Sequence, residues 1–163
     1  GLSAVIINPS LILGPGNWKE SSLSIFKTAS KGILFYPTGS NAIVDVRDVV
    51  FNMIFLMQSA NVNKKYLCIG QNISFQTLLS TLAQCFKKRP PIFKTPRFIS
   101  LLFAAFSETI NLFLRKRSGL TIESAYSAYK NIRYDNSLII ATTGHAFTPI
   151  IETLNHAIKG RIQ

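Results

Sequence analysis

At 163 residues, 47% of them hydrophobic, the chain is long enough for one domain burying about two-thirds of its unfolded surface, and it contains no low-complexity tract or internal repeat. Its net charge of +11 gathers in Lys64-Lys65, Lys87-Lys88-Arg89 and Arg115-Lys116-Arg117, runs that close apolar helices rather than interleave with aromatics as a nucleic-acid reader would. Solvated helix ends explain these runs most simply, with an anionic membrane, a nucleic acid or an acidic partner half as the alternatives.

No basic leader with a small-residue cleavage site is visible at the start. The most apolar window, Phe98 to Leu114, contains Ser100, Ser107, Glu108, Thr109 and Asn111, so no stable membrane insertion is expected. Cys68 and Cys85 lie in apolar surroundings without metal spacing. They read as reduced core thiols of a cytoplasmic protein.

Ala4-Val-Ile-Ile7 is an unbroken apolar run with β-branched members, the pattern of a strand buried on both faces of a parallel sheet. It stops at Asn8-Pro9, where proline removes a ladder donor, and Gly14-Pro15-Gly16 turns the chain. Such a strand needs neighbours on both sides and nothing precedes it, so Gly1 reads as a cut end. Leaving Val5, Ile6 and Ile7 uncovered would forfeit roughly 4–9 kcal/mol of burial, comparable with a domain's net stability of roughly 5–15 kcal/mol. The open edge is expected to pair with a missing segment, another chain or a second copy. Ligands of open parallel sheets sit beyond the carboxyl ends of the strands, where Asn8, Pro9 and Ser10 lie; an ordinary loop is the alternative there.

Asn17 or Ser21/Ser22 caps a helix to about Ser30 with Leu23, Ile25, Phe26 and Ala29 on its apolar side, ended by Lys31-Gly32. Ile33 to Tyr36 and Ala42 to Val46 read as short strands. Asp48 is the expected N-cap of a helix to Gln58, with Val49, Met53, Leu56 and Met57 inward and both sides covered. Lys65 to Ile69 is another strand, completing a strand–helix–strand unit. Ser74 caps a helix from Phe75 to Lys87 with Leu78, Leu79, Leu82, Ala83 and Phe86 inward, and Ile92-Phe93-Lys94 adds an edge strand. Pro96 starts the longest helix, Phe98 to Leu114, and Thr121 with Ser124 opens one to about Lys130. Asn136 or Asp135 caps a helix to Thr142 closed by Gly144. Thr148-Pro149 starts the last, Ile150 to Ile158, with Ile151, Leu154 and Ile158 inward. The fold class is α/β: the carboxyl-terminal part of a Rossmann-type parallel sheet, then a mostly helical lobe.

Catalytic groupings are sparse. There is no glycine-rich phosphate loop, and no metal site is expected, because neither His145 nor His156 has a Cys, Asp or Glu at ligand spacing. Surface or capping roles suit both histidines. Asp45, a carboxylate in a buried strand, needs a partner, and Arg47 two residues on can supply it. No catalytic residue is assigned.

Asn8-Pro-Ser-Leu-Ile-Leu-Gly-Pro-Gly16, Ile43-Val-Asp-Val-Arg-Asp-Val49, Tyr66-Leu-Cys-Ile-Gly70, Leu120-Thr121, Tyr134-Asp-Asn-Ser137, Gly144 and Pro149 follow one another in order along almost the whole chain. This succession resembles the carboxyl-terminal half of the extended short-chain dehydrogenase/reductases, the NAD-dependent epimerase/dehydratase family, and within it the dihydroflavonol-reductase-like branch. Sugar-nucleotide members commonly carry asparagine where this chain has Leu11 and arginine where it has Asn41. A leucine makes no hydrogen bond, and a neutral amide is a weaker diphosphate partner than a guanidinium.

The resemblance implies that Pro9 and Ser10 lie against the nicotinamide of NAD or NADP, while Asn17, Trp18 and Asn41 wall the substrate pocket with the helical lobe. It implies that residues 1–16 and 42–72 are the remnant of the dinucleotide-binding sheet, and that 17–41 and 73–163 form the substrate-binding lobe. The family's glycine-rich loop and Tyr-x-x-x-Lys pair would precede Gly1; Tyr126 and Lys130 share that spacing by coincidence. The implied partners are a missing amino-terminal dinucleotide-binding half, a small-molecule substrate and a possible second copy, with no nucleic acid. The parent would be an oxidoreductase or epimerase acting on a small carbonyl or hydroxyl compound, and this chain alone inert, with no cofactor tightly bound. The rivals are a basic interaction module for anionic membrane or nucleic acid, and a degenerate member kept as a scaffold.

Overall fold

The computed structural model describes residues 3–18, 23–60, 63–98 and 126–161. In chain order the first elements are β1 (Val5–Pro9), β2 (Leu11–Leu13), α1 (Ser24–Lys31), β3 (Phe35–Tyr36), β4 (Ser40–Asp45) and α2 (Val46–Gln58). They are followed by β5 (Lys64–Cys68), β6 (Gln71–Ser74), α3 (Phe75–Cys85), β7 (Phe93–Lys94), α4 (Ser137–Thr143) and α5 (Ile150–Lys159). The result is a mixed α/β fold whose registered strand pairs are parallel, as the apolar patterning implies. The chain forms two compact units. One comprises Gly1–Asn17, Ala42–Asn72 and Arg133–Gln163, the other Trp18–Asn41 and Ile73–Ile132.

In the first unit β1 pairs with β5, Ile7 opposite Tyr66 and Pro9 opposite Cys68, and β2 pairs with β4, Leu13 opposite Asp45. α2 packs on β1, α4 on β5 and α5 on β2. The core gathers Val44, Val49, Leu56, Tyr66, Cys68 and Ile139, with Val5, Ile7 and Phe147 against it. Gly70 is needed where the chain passes β4: its N–H donates to the Ile43 carbonyl at 2.9 Å, and a Cβ there would sit 2.9 Å from that same oxygen.

β1 departs from the expected double burial. Val5 and Ile7 face the core, whereas Ile6, opposite Lys65, and Asn8, opposite Leu67, are exposed, Ile6 by 44%. One face of the β1–β5 ribbon is covered and the other open. β1 also has a paired strand on one edge only among the described residues. The strand runs on through Pro9, because proline's missing donor costs nothing on an unpaired edge. Beyond it, Leu11–Leu13 forms a strand that the sequence reading leaves unassigned, since Ile43 to Asp45 offers it a parallel partner.

The cap of α2 lies three residues before the expected one. Asp45 is the N-cap, accepting from the Arg47 N–H at 2.8 Å, and Asp48 is buried in the first turn. Val49, Asn52 and Leu56 point inward, while Met53 and Met57, expected inside, are exposed, Met57 by 82%. The helix is therefore not covered on both sides within the described residues. α5 carries Thr153, Leu154 and Ala157 inward and exposes Ile151, reversing one expectation. α4 starts after Asn136, but the carboxylate holding its first turn belongs to Asp135, which accepts from the Ser137 N–H and hydroxyl. Gly144 ends it at φ 64°, in the left-handed region.

In the second unit α3 is capped by Ser74 as expected, its hydroxyl accepting from the Thr77 N–H at 3.0 Å, and buries Leu78, Leu79, Leu82 and Ala83. α1 follows Leu23 with no side-chain cap and buries Phe26 and Ala29. β3 pairs in parallel with β7. The Gly39 and Ser40 N–H groups donate to the Ala128 and Lys130 carbonyls. The helix expected over Phe98 to Leu114, and the greater part of that from Thr121, lie outside the described residues.

Candidate functional site

The carboxyl end of β1 is where a ligand of a parallel sheet would lie. Pro9 closes the strand opposite Cys68, and the Ser10 N–H donates to the Cys68 carbonyl at 3.2 Å. The Ser10 hydroxyl is buried with no hydrogen-bond partner among the described residues. A hydroxyl in that state costs free energy unless something bonds it. Ser10 thus combines the predicted position with an unsatisfied donor and acceptor.

Asp45 and Arg47 form a closed pair. The guanidinium donates from Nε to Oδ1 at 3.0 Å and from Nη2 to Oδ2 at 2.8 Å, the bidentate geometry that makes such contacts strong. Burial pushes the Asp45 carboxyl up, but the bonds from Arg47 outweigh it and hold the group below the usual carboxylate range. Arg47 also reaches Glu152 on α5 at 3.3 Å. The expected partner is confirmed, although it comes from the first helical turn rather than from an extended strand.

Asp48 was not expected in this role. Its Oδ2 accepts from the Thr148 N–H and its Oδ1 from the Thr148 hydroxyl, both at 2.9 Å, while His145 Nε2 lies 2.9 Å from Oδ1. The His145 ring stacks on Phe51 at 4.2 Å and meets Phe147 edge-on. His145 is therefore neither a surface nor a capping residue; it ties the loop after α4 to the start of α2. The only signal available in the sequence was the unusual pair of acids three apart, Asp45 and Asp48, at the two reciprocal positions of a helix start.

Asn17 ends the first segment of one unit, and Trp18 and Asn41 belong to the other. Trp18 is buried, stacked on Phe26 and edge-on to Phe86, both with centroids 5.6 Å away. Asn41 lies in β4, half-buried. Along the β1–α2 flank runs an apolar groove of about 600 Å³ walled by Val5, Ile7, Ile12, Val49, Met53 and Met57. Among the described residues no group of three His, Cys, Asp or Glu could hold a metal, and no helix is long and apolar enough to cross a membrane.

The sequence holds no glycine-rich loop of the kind that cradles a dinucleotide's diphosphate. No step through such a cofactor follows from this chain.

No protein-family model matches the sequence, and no curated protein matches it. Solved structures do match. The chain is similar to gox2253, 23% identical over 96% of this chain and 48% of that one, with a TM-score of 0.71. It is similar to a nucleoside-diphosphate-sugar epimerase from Pseudomonas aeruginosa, 17% identical over 98% of this chain and 48% of that one, with a TM-score of 0.70. It is also similar to the Bordetella bronchiseptica enzyme WbmH, solved in complex with NAD+, 17% identical over 98% and 46%, with a TM-score of 0.65. The chain spans about half the length of the structures it matches. Over that half it shares the mixed, Rossmann-like α/β fold of these structures.

Proposed function

We propose that this chain is the substrate-binding, carboxyl-terminal portion of an NAD(P)-dependent oxidoreductase or epimerase acting on a small carbonyl or hydroxyl compound. The observation that carries the reading is the match of nearly the whole chain to about half of each neighbour. The one-sided burial of β1 and the apolar groove beside it support the same reading, because a parallel sheet is normally covered on both faces. In the parent, a dinucleotide-binding half would lie along β1 and supply the glycine-rich loop and the Tyr-x-x-x-Lys pair. Pro9 and Ser10 would meet the nicotinamide end, and Asn17, Trp18 and Asn41 would border the substrate. Leu11 and Asn41 stand where a nucleotide-sugar enzyme would hold a diphosphate with amide and guanidinium groups, which favours a smaller substrate.

By itself the chain would be inert. Titrating it into NADH and NADPH while following cofactor fluorescence and absorbance should give no saturable binding and no hydride transfer to carbonyl substrates. Saturable binding or turnover by the 163-residue chain would overturn the proposal.

A further inference from the structure

The second unit carries nearly all of the charge. Trp18–Asn41 and Ile73–Ile132 hold twelve basic residues against three acidic ones, which is +9 of the chain's +11. Its three acids are Glu20, Glu108 and Glu123.

The same unit displays a ribbon of apolar side chains. β3 and β7 are joined by the Leu34 carbonyl, which accepts from the Ile92 and Phe93 N–H groups at 3.1 and 3.0 Å. At the inner end the Thr95 N–H donates to the Tyr36 carbonyl, the Thr95 carbonyl accepts from the Tyr129 hydroxyl, and Tyr36 is buried. The outer end is bare on both faces: Leu34 is 60% exposed, Phe35 55%, Ile92 67% and Phe93 55%. Lys87, Lys88 and Arg89 precede Ile92 and Phe93 in the chain, Lys94 follows them, and all four cations are exposed. Arg97 is engaged over the Tyr126 ring at 4.2 Å.

We propose that this ribbon and its flanking cations form a docking surface for an anionic lipid bilayer, with the Leu34, Phe35, Ile92 and Phe93 side chains entering the headgroup boundary and the cations remaining at its negative surface. Exposed apolar residues rimmed by charge mark interaction sites, and long basic side chains keep their charged ends in water while their stems cover apolar surface. The charge selects the partner. A second copy would bring the same positive unit against this one. A nucleic acid would find no ring to stack on at Leu34 and Ile92, the two most exposed members of the ribbon, whereas a bilayer takes up aliphatic and aromatic side chains alike. The docking is peripheral, and it stands independently of the reading of the parent as an enzyme.

The test is co-sedimentation of the full chain with vesicles of phosphatidylcholine alone or with about a third phosphatidylserine. Retention on the anionic vesicles only, released by high salt, is expected. Each cation near such a surface is worth about fivefold in affinity, so Lys87→Glu/Lys88→Glu/Arg89→Glu should weaken binding by about a hundredfold or more. Ile92→Ser/Phe93→Ser should weaken it by at least about tenfold while leaving the salt dependence in place. All five positions are exposed, and circular dichroism with thermal melting checks that each variant folds; if the apolar variant fails, the charge variant decides. Lack of binding to anionic vesicles, equal binding to neutral ones, or binding unchanged in the charge variant overturns the proposal. So does binding of a single-stranded oligonucleotide in place of vesicles, or a doubled native mass that the Ile92/Phe93 variant abolishes.

Discussion

Asp45 shows how one side chain can serve two elements. It closes β4, caps α2 and holds Arg47 in a bidentate pair, all from a position with almost no solvent exposure. Removing it strands three donors at a helix start. Asp45→Ala should cost about 2–4 kcal/mol by urea denaturation, from the lost cap and the lost charged hydrogen bonds. Asp45→Asn, which can still accept from the Arg47 N–H, should cost about half as much. Because its carboxyl is held below the usual value of 3.8, the stability Asp45 contributes is present above that pH and is lost as pH falls through the folded value. Unfolding followed from pH 6 to pH 2 should show a loss in the wild type that Asp45→Asn partly flattens. Cys68 behaves in the opposite sense. Burial, helped by the nearby Asp48 charge, pushes its thiol up to about 11 from 9.0, so stability should decline as pH rises from about 9 to about 11. The folded chain should leave Cys68 unlabelled by a thiol reagent such as iodoacetamide until it unfolds.

At the scale of elements, the sequence was legible where polar punctuation was clear. Ser74 announced α3, Pro149 announced α5 and Gly144 closed α4, each because a specific backbone need selects that residue type. α2 was misread for the opposite reason. From Val49 to Met57 only Asn52 is polar, so the 3.6-residue period is nearly erased and two faces looked equally suited to burial. Asn52 itself lies inside, donating to the Asp48 carbonyl at 2.7 Å. The cap was displaced to Asp45 because β4 runs directly into the helix with no loop between them. β2 and β6 were missed because runs of three and four residues carry little pattern of their own. The His145–Asp48 contact bridges residues 97 apart, a separation that no local spacing reveals. The assigned inward face is checked by two substitutions on one helix. Leu56→Ala should destabilise by about 2–5 kcal/mol, whereas Met57→Lys should stay within about 0.5 kcal/mol and raise solubility. Equal losses from the two would show that the helix is turned the other way.

For the whole molecule, the fold class and the order of the motifs were readable from end to end, and the structural neighbours share that fold over about half their length. The chemistry was not, because no glycine-rich phosphate loop stands in the sequence and no catalytic grouping shows at local spacing. What remains is a supporting framework: β1 with one open face, α2 with an apolar outer side, and Ser10 with an unsatisfied hydroxyl. In the proposed parent each of these meets the missing half. The most direct test is the size of the polypeptide that carries this chain in its source cells, read on a denaturing immunoblot with an antibody against residues 133–161. A band at about twice the 18.1 kDa of this chain is predicted, since the neighbours are about twice as long. A single band at about 18 kDa would contradict the account.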